Sequence, residues 1–375
     1  MLDGFSRLFG YSRVKYDYLA ARPCERDSML FTRHLFVGLG ALGFLQTGVV
    51  AQTITANYST PNIDRWMYPF NSSPGAEASV SVFAALNQTG FDDRDAQFLL
   101  GWTTSTEIPT GRGARGYRVV SATVRAFVSA GDRWTYDNTY DSVRTAYLTT
   151  DPEYLPDSDA GAPVELWAVG YRGGFSLTTF NENSGYANVA PFPPQEGVRN
   201  CYSAGVDVVG NTSDVSRQVE FRFDATPFAV GQISSLSPGA LVPEGAEVAF
   251  ALNTTDAAMQ AYVARSLSAG RLQFMISTLS PASGGPGGGT GTPTYPAFYT
   301  KENALSSALG YQPKLDLVVQ LTDPGDYNGD GGVDGDDIIA YFADWDASNP
   351  AADFNFDGGV DGDDVIAFFT EWDNG

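Results

Sequence analysis

The chain has 375 residues, with 44 Asp and Glu against 22 Lys and Arg, a formal net charge of −22 and one histidine. So acidic a surface excludes nucleic-acid binding by charge and is repelled by anionic membranes. One histidine and two cysteines leave little scope for imidazole or thiol catalysis, or for a nitrogen- and sulfur-ligated metal.

At the N-terminal end, Arg33-His34 precedes an apolar run over 35–45, and Val49-Val50-Ala51 stands before Gln52. A basic flank, an apolar segment too short to span a bilayer comfortably and a small-residue site predict a secretory signal cut after Ala51. Met29 is an alternative start, and an uncleaved anchor is the competing expectation. Cleavage would remove His34 and Cys24, leaving Cys201 without a disulfide partner. Six Lys and Arg would go with four Asp and Glu, so the mature charge becomes −24. The expected location is secreted, extracellular or at the cell surface, with no stable membrane insertion after cleavage.

Residues 52–322 are rich in aromatics, Gly and Pro, with short apolar runs split by turn residues. Strands are predicted over 78–84, 97–102, 117–128, 164–169, 218–223, 247–252, 272–279 and 315–320. Many short strands with Gly/Pro turns predict a mainly β domain, a jelly-roll-like β-sandwich. One helix is predicted over Ala257–Ser268, opened by Thr255-Asp256 and closed by Gly270. The glycine-rich stretch 281–293 reads as a loop within this domain, because the piece after it is too small to bury a core alone.

Aromatic rings are the usual platform for sugars, and Trp66, Trp134 and Tyr136 are the candidate ligand-binding residues. Trp134 and Tyr136 stand two apart on an expected strand, so they share a face, with Asp137 and Asp141 beside them. Core filling is the competing use of these rings. Carboxylates at Asp92-Asp93-Arg94-Asp95, Glu165, Glu182 and Glu220 are available to a histidine-free glycosidase, which needs two acids flanking a bond. Nothing in the spacing selects a pair, and 92–95 reads more readily as a solvated turn or a structural salt-bridge cluster. No catalytic residue is therefore assigned.

The runs Gln97-Phe-Leu-Leu-Gly-Trp102, Tyr117-Arg-Val-Val-Ser-Ala-Thr-Val124, Gly270-Arg-Leu-Gln-Phe-Met275 and Phe298-Tyr-Thr-Lys-Glu302 before Pro313-Lys-Leu are similar to DNRLRE-type jelly-roll domains. That resemblance implies a bacterial extracellular protein and, through some relatives, carbohydrate binding.

Residues 323–375 form a third region with 15 Asp or Glu and no Lys or Arg. It carries one unit twice: the 21 residues from Asp326 and the 21 from Asp353 are identical at 15 positions. Oxygen side chains recur at loop positions 1, 3, 5, 9 and 12, with glycine at the sharp turn of position 6. The ligands expected in the first loop are Asp326, Asn328, Asp330, the Gly332 carbonyl, Asp334 and Asp337. The second repeats them as Asp353, Asn355, Asp357, the Gly359 carbonyl, Asp361 and Asp364. So many oxygens in a flexible loop suit two Ca2+ ions rather than octahedral magnesium. Each loop runs into an apolar stripe, Ile338, Tyr341, Phe342, Trp345 and Val365, Phe368, Phe369, Trp372, predicting two helices that pack together.

A tandem of loop-then-helix units closed by Asp at position 12 resembles a bacterial dockerin. The resemblance implies a calcium-folded module that attaches a secreted protein, often one acting on polysaccharide, to a cohesin-like protein receptor. Dockerins present small hydroxyl residues at loop positions 10 and 11, where this chain has Gly335-Asp336 and Gly362-Asp363. The expected protein is thus a secreted, non-catalytic body with a calcium-binding tail that anchors it to a receptor. Polysaccharide is the further expected ligand, and a carboxylate-dependent polysaccharide-degrading enzyme is the rival.

Overall fold

A computed structural model describes residues 52–190, 194–282 and 293–375. The expected signal segment and most of the glycine-rich stretch lie outside them. The fold is mainly β, and its strands pair antiparallel throughout.

One sheet has the order β1 (Thr53–Tyr58), β13 (Lys314–Leu321), β5 (Tyr117–Phe127), β10 (Glu247–Ala251). In β13 the sequence KLDLVVQL alternates, so Leu315, Leu317, Val319 and Leu321 point inward while the intervening residues are half-exposed. The larger sheet runs β2 (Ile63–Met67), β4 (Gln97–Thr103), β11 (Arg271–Thr278), β6 (Val164–Tyr171), β7 (Cys201–Val206), β8 (Thr212–Asp214), and β9 (Ala229–Val230) also pairs with β6. A short ribbon joins β3 (Ser79–Ser81) to β12 (Ala297–Tyr299).

The two large sheets share one core, in which Phe98, Leu100 and Trp102 of β4 and Phe274 of β11 meet Val124 of β5 and Leu317 of β13. Strand β4 is buried along almost its whole length because its other face is covered too. There Leu99, Met275, Trp167 and Cys201 pack with Phe180 from the excursion between β6 and β7. A strand buried on both faces cannot alternate, which is why QFLLGWT reads as a continuous apolar run.

Two expectations need correction. Residues 218–223 are not a strand: a 3-10 turn, Val215–Arg217, leads into the helical turn α1 (Gln218–Phe221). The Asp93 carboxylate accepts the Val219 and Glu220 N–H groups at 2.9 and 3.0 Å and so holds the backbone out of any sheet. Trp134 and Tyr136 lie on no strand; Thr135 between them forms an isolated bridge to Leu241, which is itself outside the strands. Helix α2 (Ala257–Ser268) has its expected bounds, with Asp256 accepting from Ala258 N at 2.8 Å and Gly270 beyond its end at φ +76°. A further helical turn, α3 (Ser306–Leu309), precedes β13.

The tail adds α4 (Gly335–Asp346) and α5 (Gly362–Trp372), and the described residues belong to one compact unit. Among the described residues no helix is long and apolar enough to cross a membrane.

Candidate metal centres in the acidic tail

Each repeat folds as an oxygen-lined loop that caps its own helix. In the first loop Asp326 accepts from Gly329 N and Gly331 N, both at 2.9 Å. The Asn328 carbonyl oxygen accepts from Asp330 N at 2.8 Å, and Asp330 accepts from Gly332 N at 3.0 Å. Asp337, fully buried, takes Asn328 N at 3.0 Å on one oxygen and Asp334 N at 2.8 Å on the other. Asp334 and Asp337 together form a capping box at the start of α4.

The second loop repeats this frame. Asp353 accepts from Asp357 N and Gly358 N at 3.1 and 3.0 Å, and Asn355 and Asp357 accept from Asp357 N and Gly359 N. Asp364 accepts from Phe354 N, Asn355 N and Asp361 N at 2.7, 3.0 and 2.8 Å. Backbone N–H groups thus orient these side chains, and the Asn328 and Asn355 amides donate to Asp330 and Asp357 at 3.2 and 3.1 Å; a carboxylate oxygen that accepts one N–H keeps a second lone pair. Position 6 turns at φ +94° in Gly331 and +96° in Gly358, where a side chain would be strained.

The two units are related by a pseudo-twofold axis that the repeat makes visible. Equivalent residues Tyr341 and Phe368 stack at 4.3 Å with their planes 11° apart, and both are fully buried. Tyr327 and Phe354, each at loop position 2, close the edges of that stack. The Trp345 indole donates to the Asp361 carbonyl at 3.1 Å, and Trp372 donates to the Asp334 carbonyl at 3.0 Å. Each helix end thus holds position 9 of the opposite loop.

Charge is the unsolved part of this arrangement. Burial, and then Asp337 and Asp330, hold the Asp326 carboxyl above its ordinary range, although backbone N–H groups oppose the shift. A cation in the loop would reverse that penalty. The donor set, carboxylate and amide oxygens with a backbone carbonyl, fits a hard cation of six to eight ligands and offers nothing to a soft one.

The body supplies the nearest fixed cation. Arg115, in the turn before β5, lies over the rings of Phe354 (4.5 Å), Phe356 (5.2 Å) and Tyr327 (5.3 Å) and donates to the Ala351 carbonyl at 2.6 Å. Arg265 of α2 lies 4.8 Å from the Phe356 ring on its own approach. Phe356 occupies loop position 4 at φ +61°, where the first loop has Gly329 at +77°. At that position Phe356 packs on Arg115 and Arg265 of the body, whereas a side chain on Gly329 would meet nothing within 4 Å.

Other candidates are placed differently. Trp134 and Tyr136 are 5% and 4% exposed and belong to the main core, which corrects their reading as a sugar platform. The Tyr136 hydroxyl accepts from Ile233 N at 2.9 Å. Trp66 is half-buried and stacked on Tyr68 at 4.7 Å. Asp92–Asp95 are a buried ionic cluster rather than a solvated turn: Asp92 binds Arg199 Nε at 2.7 Å, and Arg94 pairs with Glu165 beside Trp167. Glu220 pairs with Arg217 at 2.6 Å and Glu182 with Lys301.

Two groups place three carboxylate oxygens within 4.8 Å of one another, among the described residues: Asp64, Glu182 and Glu302, and Asp137, Asp141 and Asp159. Sequence reasoning did not single out Asp64, Glu302 or Asp159, which reach their partners only through the tertiary fold. The one local signal was the alternation Asp157-Ser-Asp159. No family model and no curated protein matches this chain.

Proposed function

We propose that the protein is a secreted, non-catalytic anchoring protein, in which a jelly-roll body carries a dockerin-like tail that binds two Ca2+ ions and a protein receptor. The carrying observation is the tail itself: two loops with the same hydrogen-bond frame, on either side of a pseudo-twofold stack. Asp326, Asn328, Asp330, Gly332, Asp334 and Asp337 would hold one ion, and Asp353, Asn355, Asp357, Gly359, Asp361 and Asp364 the other. The ions would supply charge neutralisation, so that metal binding becomes folding energy for a segment with 15 acids and no base.

The strand orders β1-β13-β5-β10 and β4-β11-β6 support the jelly-roll reading, because first and last strands lie side by side and each sheet draws on both halves of the chain. With one face of the tail against Arg115, the surface open to a receptor includes Ile339 and Ile366, 68% and 66% exposed at equivalent repeat positions. Exposed Gly335-Asp336 and Gly362-Asp363 lie beside them. Burial of Trp134 and Tyr136 leaves polysaccharide without a platform at those residues, and the buried ion pairs of the body give no observation in favour of glycan cleavage.

The test is retention of the full chain on envelope fractions of the source cell in calcium and in EDTA, alongside an Ile339→Glu/Ile366→Glu variant. Retention that needs calcium and both isoleucines supports anchoring. Equal absence of retention in both buffers rejects it.

A further inference from the structure

We propose that Asp137, Asp141 and Asp159 form a calcium site in the body, separate from the tail and serving to pin the long connection between β5 and β6. One carboxylate oxygen from each lies within 4.8 Å of the others. Two oxygens on opposite sides of a calcium ion, each about 2.4 Å from it, are separated by that same span.

Asp137 carries the argument furthest. It is 2% exposed. Its Oδ1 accepts from Thr139 N at 2.8 Å and from Thr139 Oγ1 at 2.9 Å. Its Oδ2 is buried without any hydrogen-bond partner. A buried carboxylate oxygen left unserved is costly, and a ligated cation removes that cost. Thr139 Oγ1 also lies 3.0 Å from Asp159 Oδ2, but its single proton can serve only one of the two acids.

The second carboxylate group is an internal comparison. At Asp64, Glu182 and Glu302 the chain places the Lys301 ammonium among the acids, paired with all three. At Asp137, Asp141 and Asp159, with Asp157 adjacent, no Lys or Arg forms an ion pair among the described residues. Similar clusters thus stand with and without a cation from the chain, and the one without has the orphaned oxygen. All-oxygen ligands favour a hard cation over zinc, and acids drawn from two separate segments suit calcium better than the strict octahedron of magnesium.

The backbone brings these segments together on purpose-built terms. A side chain on Gly161, at φ +123°, would come within 2.9 Å of the Thr135 carbonyl and 3.0 Å of Asp137 Cβ. Glycine therefore lets the arm from Asp157 to Gly161 lie against Asp137. The connection from β5 to β6 contains only one 3-10 turn, Val143–Ala146, and an ion joining 141 to 159 would close it as a staple.

The experiment measures bound calcium per chain by equilibrium dialysis on the full-length protein, as wild type, Asp141→Asn and Asp159→Asn. It is repeated in an Asp337→Asn/Asp364→Asn background, which disables the tail loops. Each body substitution is expected to remove one calcium in both backgrounds, so failure of the tail reading does not disturb the comparison. Asp159 is exposed, which protects its variant against misfolding. In parallel, trypsin cleavage at exposed Arg144 is expected to accelerate at least tenfold in EDTA for the wild type and to be insensitive to calcium in both body variants. Unchanged calcium in both variants, or Arg144 cleavage indifferent to calcium in the wild type, overturns the proposal.

Discussion

Arg115→Ala should release the tail from the body while leaving the body folded. The substitution removes a cation 4.5 Å from the Phe354 ring centre and the 2.6 Å bond to the Ala351 carbonyl. A cation–π contact at a partly desolvated site contributes about 0.5–2 kcal/mol, and a hydrogen bond from a charged donor about 1.5–3 kcal/mol. One guanidinium cannot stack fully on three rings at once, so we count one stack and one bond, about 3 kcal/mol. At about 1.4 kcal/mol per decade this is a roughly 100-fold rise in the open tail population. Amide hydrogen exchange reads it directly: protection over 324–375 should fall by about that factor while β5 and β13 amides serve as an unchanged reference. Arg115→Lys keeps the charge but loses the planar stack, and should recover less than half of the loss. A change below threefold in Arg115→Ala would refute the reasoning.

Three further outcomes are expected. Tyr341→Phe should be neutral or stabilise the tail by about 1 kcal/mol in calorimetry, because the Tyr341 hydroxyl is buried without a partner and the equivalent residue is Phe368; a loss above 1 kcal/mol would reveal a hidden partner. Asp364→Asn should abolish one tail calcium and weaken the start of α5 by about 1 kcal/mol or more, since the carboxylate accepts three N–H groups. Calcium titration with circular dichroism checks it, and unaltered stoichiometry would count against the second loop. Burial pushes Asp95 up to about 7, with Arg199 opposing at 3.6 Å. Its folded pKa exceeds its unfolded one, so its stabilising contribution is full below about pH 4 and is lost as pH rises through 7. Urea unfolding in EDTA should therefore show this part of body stability declining from pH 5 to 8, and Asp95→Asn should flatten the slope; an equal slope in both proteins rejects the assignment.

Legibility in the sequence followed how local each feature was. The loop spacing foretold that the tail's oxygen side chains gather in two loops because twelve consecutive residues bring them together, and helix α2 announced itself through Asp256 and Gly270 at its ends. The apolar stripes also foretold that the tail helices pack together. By contrast, 218–223 has strand composition but is bent by Asp93, some 125 residues away in the chain. Arg115 looked like any loop arginine, since its partners lie more than 200 residues further on. The ring pair Trp134 and Tyr136 had the right spacing for a platform, yet spacing does not say which side of a sheet's margin is covered. Strands β1 and β2 are not among the strands predicted from the sequence, although Ile54, Ala56 and Tyr58 alternate along β1.

The crossed indoles of the tail have a consequence for how such a module is inherited or engineered. Trp345 serves the loop that follows it, and Trp372 serves the loop that precedes it. A lone repeat would lose the other's tryptophan at position 9 and expose one side of the Tyr341–Phe368 stack. The smallest heritable part is accordingly the pair. Loss of either tryptophan should make itself felt in the half of the tail where the change did not occur.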